Sequence, residues 1–161
     1  KQTSGAYRKI RNTMRFLLGN LGDFDPAKHA LDGDALTPID QWALRQLECF
    51  RETIRNAYER YDFQGVFRAL FTFCNEELSA IYLDVLKDRL YCEAPDDPAR
   101  RASQAVLYEA LRALAVAAAP ILSFTCDEAW SFLPKREGDA DSVFLASFPS
   151  PLDVATARTL R

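Results

Sequence analysis

The sequence is poor in the residues that most often carry chemistry. Its 161 residues include a single histidine, His29, and only six glycines. Neither G-x-G-x-x-G nor the P-loop pattern occurs, so no phosphate-binding loop is recognisable. One histidine also excludes the di-iron bundle pattern, which needs Glu-x-x-His on two helices, and it offers a cysteine or serine nucleophile almost no base. The sequence therefore predicts no catalytic residue and no metal site.

The cysteines are few and far apart. No C-x-x-C pair links them, and metal sites need close spacing; they are Cys49, Cys74, Cys92 and Cys126. Three lie inside apolar helical patterns, where a free cysteine behaves as a small hydrophobic residue. We therefore predict buried, reduced thiols and a reducing compartment, the cytoplasm.

Long apolar runs are also missing. None approaches the roughly 18 residues of a membrane span, so no membrane partner is expected. The chain starts without methionine and without a signal-peptide core, which indicates a fragment.

Composition favours a compact helical domain. Hydrophobic residues make up 48% of the chain, which disfavours intrinsic disorder, and the apolar residues recur at helical spacing. The net charge is −3 and the isoelectric point is about 5.2. Dedicated nucleic-acid-binding domains are usually basic overall, so any basic surface here must be local.

Cap signals and apolar periodicity predict about five helices in an all-α, antiparallel helical bundle with a short extended C-terminal tail. They are expected near 4–21, 38–61, 62–89, 98–119 and 125–134. Thr37 and Asp97 are the expected N-caps of the second and fourth helices, each followed by proline, and Thr125 opens an expected capping box for the fifth. We assign residues 1–149 to the bundle, with a mobile loop at 135–142 and an extended run at 143–148. Residues 150–161 are the expected start of a truncated helix or linker.

The periodicity also predicts the core. We expect most aromatic residues on the apolar faces. The inward positions expected in the second helix are Ile39, Ala43, Leu47, Phe50, Ile54, Ala57, Tyr58 and Tyr61. Those expected in the third are Val66, Phe67, Leu70, Cys74, Leu78, Ile81, Tyr82 and Val85, and those in the fourth are Leu107, Leu111, Leu114 and Ala118.

The first helix carries an unusual charge distribution. Residues 1–22 contain five basic residues and no acid, so the rest of the chain carries a net charge of −8. On a helical wheel, one arc of about 140° beside the apolar stripe collects a phenol, an amide and three guanidiniums, namely Tyr7, Arg8, Arg11, Asn12 and Arg15. Arginine holds phosphates or stacks on bases, tyrosine stacks, and asparagine can read a base edge. These types suit single-stranded RNA, and the alternative is a solvated face paired with acids of a neighbouring domain.

Particular stretches of sequence resemble one family. The run from Tyr7 to Leu21, Y-R-K-I-R-N-T-M-R-F-L-L-G-N-L, resembles the opening helix of the anticodon-binding domain of isoleucyl-tRNA synthetases. The run from Tyr82 to Tyr91, Y-L-D-V-L-K-D-R-L-Y, is similar to the isoleucine enzymes in particular. The blocks A-P-I-L at 119–122 and D-E-A-W at 127–130 resemble class I synthetases for branched aliphatic amino acids in general. The likeness extends over roughly residues 4–149.

The resemblance implies a function. The family's domain is a helical bundle that grips the anticodon stem and loop, so the implied partners are an isoleucine tRNA and the catalytic and C-terminal domains of the same polypeptide. The parent enzyme joins isoleucine to its tRNA using ATP. Its H-I-G-H and K-M-S-K-S motifs are absent here, so the chain itself should bind and not catalyse. It should hold no cofactor, and ATP and possibly zinc would be bound outside it.

The resemblance also points to individual residues. It favours Arg11 and Tyr7, with Arg8 and Arg15 as support, and it adds Arg55 on the second helix as an RNA-binding candidate. The adjacent pair Arg100 and Arg101 is expected to have a structural role at a loop. Two alternatives stay open: a structural or protein-interaction helical module, and the equivalent domain of a valine or leucine enzyme.

Overall fold

The computed structural model describes residues 2–148, and every regular element in that range is helical. The α-helices are α1 (Gln2–Gly19), α2 (Pro38–Glu59), α3 (Phe63–Thr72), α4 (Leu83–Val85), α5 (Lys87–Cys92), α6 (Pro98–Ala118) and α7 (Ser123–Phe132). A π-helix, Phe73–Tyr82, joins α3 to α4, and two short 3-10 turns occupy Gly33–Ala35 and Val143–Leu145. The prediction of an all-α bundle is confirmed.

Helix α6 is the centre of the bundle. Fourteen of its 21 residues are buried, including all four inward positions predicted for it. Helices α1, α2 and α7 pack against it, and α3 with the π-helix packs between α1 and α2. A helix that is surrounded by others needs small residues, and alanines supply them where neighbouring backbones come close.

Cross-helix hydrogen bonds fix the directions of the helices. Tyr58 near the end of α2 donates to the carbonyl of Ala117 near the end of α6, so these two neighbours run in the same direction. Gln104 near the start of α6 donates to the carbonyl of Asn20, just after α1, so α1 runs the opposite way. One end of the bundle therefore holds the start of α1, the turn at 60–62 and the turn at 119–122.

The predicted caps of α2 and α6 are confirmed. Thr37 and Asp40 form a capping box at the start of α2, in which the Asp40 carboxylate accepts the Thr37 backbone N–H at 3.0 Å. Asp97 accepts the backbone N–H of Arg100 at 2.8 Å. These bonds satisfy backbone donors that have no partner inside the first turn of a helix.

The third predicted helix is not continuous, because it changes to π geometry at Phe73. The Ser79 hydroxyl donates to the carbonyl of Cys74, and the Thr13 hydroxyl of α1 also reaches that carbonyl, at 3.5 Å. The wider turns give an inward face with a period of about four, and the buried residues of this stretch are Phe73, Cys74, Leu78, Tyr82, Leu83, Leu86 and Leu90. The predictions of Ile81 and Val85 as core residues are wrong for this reason, and Phe67 on α3 is also exposed.

Two other predictions at helix ends are wrong. Tyr61 is 79% exposed and has a φ of 56°, because α2 ends at Glu59 and the chain turns there into α3. Helix α7 starts at Ser123, two residues before the predicted capping box. The hydroxyl of Thr125 is instead hydrogen-bonded to Tyr7, and Asp127 accepts bonds from Ser142.

The loop at 135–142, predicted to be mobile, is joined to the bundle by hydrogen bonds. Arg112 of α6 contacts both carboxylate oxygens of Asp139, at 2.6 and 2.7 Å, and Trp130 donates its indole N–H to the carbonyl of Ala140. The run at 143–148 begins with a 3-10 turn, and the side chain of Val143 is buried. The predicted helix in residues 150–161 lies outside the described residues.

The structure confirms part of the cysteine prediction. All four thiols are unpaired, and Cys74 and Cys126 are buried as predicted. Cys49 and Cys92 are exposed, although they sit on helices. Periodicity did not place these two residues on the outward faces, so the prediction of burial is wrong for them.

Candidate nucleic-acid interface

The outward face of α1 carries the five residues that the sequence singled out on that helix. Ile10, Met14 and Leu17 turn into the core, where each is at most 2% exposed. The opposite side of the helix is exposed to solvent, and on it lie Tyr7, Arg8, Arg11, Asn12 and Arg15. The structure thus brings these five side chains onto one surface, as the helical wheel predicted.

Within the described residues, the cationic side chains of this face have no acidic partners. Over residues 2–148 no carboxylate lies within ion-pair distance of Arg8, Arg11 or Arg15. The local reason is that the first 22 residues contain no acid, so no partner stands three or four residues away. Unneutralised guanidiniums keep their hydrogen-bond donors available to an anionic ligand.

Some arginines elsewhere on the described surface are paired with acids, although Arg45 of α2, for example, is not. Arg100 and Arg101 both contact Asp23, at 2.8 and 3.3 Å, and Arg112 is paired with Asp139. The expected structural role of Arg100 and Arg101 agrees with these bonds, which join the start of α6 to the loop after α1. What distinguishes the basic face of α1 is that it gathers three arginines, unpaired among the described residues, on one helix whose sequence contains no acidic residue.

Tyr7 ties the start of this face to α7. Its hydroxyl lies 3.0 Å from the Thr125 hydroxyl, and its side chain is half-exposed. The bond fixes the tyrosine ring at the boundary between the two helices. A ring held in one orientation can stack on a base at little further entropic cost.

A groove of about 210 Å³ continues from Tyr7 along the boundary between α1 and α7. Arg11 and Arg15 line it from α1, and the α7 side contributes side chains that were not predicted as site residues. The lining residues are Arg11, Met14, Arg15, Leu18, Thr125, Glu128, Ala129 and Phe132. Phe132 gave no signal in the sequence, because an aromatic residue near a helix end is usually part of the core.

Arg55 lies on a different part of the surface. It belongs to α2, which packs against α3 and α6, and its guanidinium lies 5.5 Å from the centre of the Phe148 ring. Such a cation–π contact is weakly stabilising at an exposed position. The structure therefore does not place Arg55 on the face that contains Arg11.

No donor set for a metal is seen in residues 2–148. There is no group of three histidine, cysteine or carboxylate side chains that could hold an ion. His29 accepts the backbone N–H of Asp25 through Nδ1 at 3.0 Å and packs beside Phe24. That contact gives the single histidine a structural role in the loop after α1.

Residues 40–160 match the sequence model of the anticodon-binding domain of tRNA ligases. The chain belongs to this family. The match begins after α1, two residues into α2, and includes the helices from there through α7.

Individual members of the family extend the likeness into α1. The chain is 50% identical over 153 residues to an isoleucine–tRNA ligase of Syntrophomonas wolfei, an alignment that spans 95% of this chain and 16% of that protein. It is 53% identical over 134 residues to the ligase of the same name from Desulfitobacterium hafniense, spanning 83% of this chain and 14% of that protein. The chain is 48% identical over 154 residues to the isoleucine–tRNA ligase of Geobacillus kaustophilus, an alignment that spans 96% of this chain and 17% of that protein. The chain thus spans about a sixth of the length of these relatives, and alignments covering 95% of it take in most of α1.

The described part of the anticodon-binding domain contains no helix long and apolar enough to cross a membrane. Its longest helices, α2 and α6, each carry charged residues along one side.

Proposed function

We propose that this chain binds the anticodon stem and loop of an isoleucine tRNA, as part of a cytoplasmic isoleucine–tRNA ligase that uses ATP. The observation that carries the proposal is the basic face of α1, defined by Tyr7, Arg8, Arg11, Asn12 and Arg15. These side chains are exposed and, among the described residues, make no ion pairs. Family membership and the names of the relatives support RNA as the ligand and isoleucine as the amino acid.

The chemistry of the face supports an RNA ligand over an acidic protein. Three guanidiniums provide bidentate donors for phosphates, and a half-exposed tyrosine adds a stacking surface for an unpaired base. The body of the chain carries a net charge of −8 beyond residue 22. A basic patch on an acidic body orients an approaching polyanion toward one helix.

Arg55 contributes at most from the side. Arg55 belongs to α2, and its guanidinium lies over the Phe148 ring, away from the α1 face. We therefore assign the main RNA contacts to the α1 residues. An RNA hairpin that lies along α1 can still extend over the neighbouring surface. A role of Arg55 in binding remains part of the proposal as a secondary phosphate contact.

The test is a salt titration of RNA binding. Fluorescence anisotropy with a labelled anticodon stem-loop of an isoleucine tRNA, and with an unrelated hairpin, gives the affinity at each salt concentration. We expect Arg11→Glu to weaken binding by at least tenfold. A neutral Arg11→Gln should lower the slope of log K against log salt by about 0.7, because the protein then neutralises one phosphate fewer. Arg45→Glu is the matched control, because Arg45 is an exposed arginine on α2 without an ion pair in the described chain.

The outcomes separate clearly. Weaker binding in Arg11→Glu with unchanged melting places RNA recognition on α1. Equal weakening in Arg45→Glu would show a diffuse charge effect and would contradict the assignment to α1. A large fall in melting temperature would mean that Arg11 is a structural residue, which its exposure disfavours.

A second candidate function is docking of another protein domain. The end of the bundle near the turns at 60–62 and 119–122 exposes Tyr61 at 79% and Phe124 at 94%, and apolar surface of this kind is common where proteins meet. Analytical ultracentrifugation tests this hypothesis. Concentration-dependent self-association without RNA binding would favour it over the proposed function.

A further inference from the structure

The groove between α1 and α7 has the size of a subsite for one ring system. Its volume is about 210 Å³, below the roughly 300 Å³ at which pockets for drug-sized ligands begin. Buried or half-buried apolar side chains form its floor, namely Met14, Leu18 and Ala129. A planar base fits on such a floor, with its sugar and phosphates outside the groove.

Phe132 stands at the edge of this groove with its ring in solvent. The side chain is 72% exposed, and within residues 2–148 no other aromatic ring packs against it. Helix α7 ends at this residue, so its backbone is held at the helix terminus next to the groove. Every nucleobase has a face that stacks on an aromatic side chain, so the ring is suited to hold a base in the groove.

The charges around the groove separate two parts of a nucleotide. Arg11 and Arg15 line the α1 side, whereas Glu128 lines the α7 side. No ion pair joins Glu128 to either arginine in the described chain. A carboxylate repels a phosphate and accepts N–H donors, so the α7 side suits a base edge and the α1 side suits the backbone.

We propose that this groove binds one unpaired nucleobase that presents amino or imino N–H donors, with the base stacked on Phe132 and its edge on Glu128. The inference rests on the proposed function, because the base belongs to the loop of the RNA held by the α1 face. Glu128 makes the subsite selective. Guanine offers adjacent N1–H and N2–H donors and cytosine and adenine offer an amino group, whereas uracil presents one N–H between two carbonyls that face the carboxylate.

Phe132 is tested by a double-mutant cycle on the stem-loop RNA. The two changes are Phe132→Ala in the protein and an abasic site in place of each loop nucleotide in turn. We expect Phe132→Ala to weaken binding roughly tenfold to a hundredfold, as found for stacking contacts with single-stranded nucleic acids. At one loop position, the abasic site should weaken binding by a similar factor, and combining it with Phe132→Ala should weaken binding no further. Phe132→Trp should bind about as tightly as the wild-type chain.

Phe144→Ala is the matched control. Phe144 is also an exposed phenylalanine, at 57%, and it does not line the groove. A direct optical readout comes from 2-aminopurine at the abasic-sensitive position. Its fluorescence should be quenched on binding to the wild-type chain and to Phe144→Ala, and much less on binding to Phe132→Ala.

Glu128→Gln tests the edge contact. Gln presents both a donor and an acceptor, so the preference for an amino-bearing base over uracil at that position should fall by roughly tenfold. Affinity for the remaining loop should be unchanged. A preference that stays the same in Glu128→Gln would show that the edge of the base is read elsewhere.

The failure of this inference differs from failure of the proposed function. If the RNA binds and Arg11→Glu weakens it, while Phe132→Ala and every abasic substitution have no effect, the subsite is refuted and the proposed function stands. Fully additive effects of Phe132→Ala and every abasic position would refute it as well. If the wild-type chain does not bind the stem-loop, both proposals are refuted.

Discussion

Tyr82 donates its hydroxyl to Asp40 across 2.6 Å, with both side chains fully buried. The same carboxylate accepts bonds from Ser103 at 2.9 Å and from Arg89 at 3.1 Å. These bonds join α2 to the π-helix, to α5 and to α6. Burial, followed by the neighbouring carboxylate, raises the pKa of Tyr82 well above its ordinary value, so the phenol remains a donor.

Asp40→Asn should be among the most destabilising single substitutions in the chain. The substitution keeps the shape but removes the charge opposite Arg89, and breaking a buried pair typically costs about 3 kcal/mol or more. Urea denaturation followed by circular dichroism measures the change in free energy of unfolding.

The same substitution at an exposed pair is the control for Asp40. Asp84 lies 2.6 Å from Lys87, and both side chains are more than half exposed. Asp84→Asn should cost less than about 1 kcal/mol. Equal effects at the two positions would contradict a special role for the buried carboxylate.

Sequence patterns predicted the parts of the fold that depend on local chemistry. Thr37, Asp40 and Asp97 are cap residues whose bonds close within three residues, so the starts of α2 and α6 follow from the sequence. The outward face of α1 follows from its helical period in the same way. The expected ligand, an isoleucine tRNA, followed from the resemblance of whole segments to a known family, because no single residue indicates it.

Features that depend on contacts between distant segments were not predicted. The π-helix involves Thr13 of α1 reaching the carbonyl of Cys74, 61 residues away, and a period of 3.6 residues therefore misplaced Ile81 and Val85. The capping box at Thr125 failed because α7 begins at Ser123, so Thr125 lies inside the helix, where its hydroxyl is bonded to Tyr7 of α1. Phe132 belongs to the candidate site because α7 packs beside α1, and the sequence pattern of α7 alone does not indicate that contact.

Asp139→Asn should release the loop at 135–142. The carboxylate makes two short bonds to Arg112 and accepts the backbone N–H of Arg136 at 2.7 Å. Charge-assisted bidentate bonds are among the stronger hydrogen bonds, and an amide can replace only part of them. We expect amide hydrogens of the loop to exchange roughly tenfold faster, measured by mass spectrometry.

A control for that loop lies two residues away. Asp141 is exposed and makes no ion pair in the described chain, so Asp141→Asn should leave the exchange rates unchanged. Faster exchange in both variants would indicate a loop held by its net charge rather than by the Arg112 contact.

Two of the four thiols should react under native conditions. Cys49 and Cys92 are exposed, whereas Cys74 and Cys126 are buried. Burial raises the pKa of Cys74 and that of Cys126 to about 12 each, so the reactive thiolate is scarce as well as inaccessible at neutral pH. Iodoacetamide followed by peptide mass spectrometry should label the first pair only, and all four in denaturant. Native labelling of Cys74 would show that the core around the π-helix opens.

Asp23 should contribute stability that disappears in acid. The hydrogen bond from Arg100, the largest effect, together with that from Gln104, lowers the pKa of Asp23 to about 2, against an ordinary value of 3.8. A carboxyl group with a lowered pKa stabilises the fold fully above its unfolded pKa, and the contribution is lost as pH falls through the folded pKa. The difference in free energy of unfolding between wild type and Asp23→Asn should therefore be constant above about pH 5 and shrink between about pH 4 and pH 2. The Asp23 side chain is 43% exposed, so solvent screening limits this difference to about 1 kcal/mol.

Urea denaturation at pH 6 and pH 2.5 measures the difference in free energy of unfolding between wild type and Asp23→Asn. The exposed Asp96→Asn is the control, and it should show no such change with pH. A difference that is the same at pH 6 and pH 2.5 would mean that the contact between Asp23 and Arg100 does not form in solution.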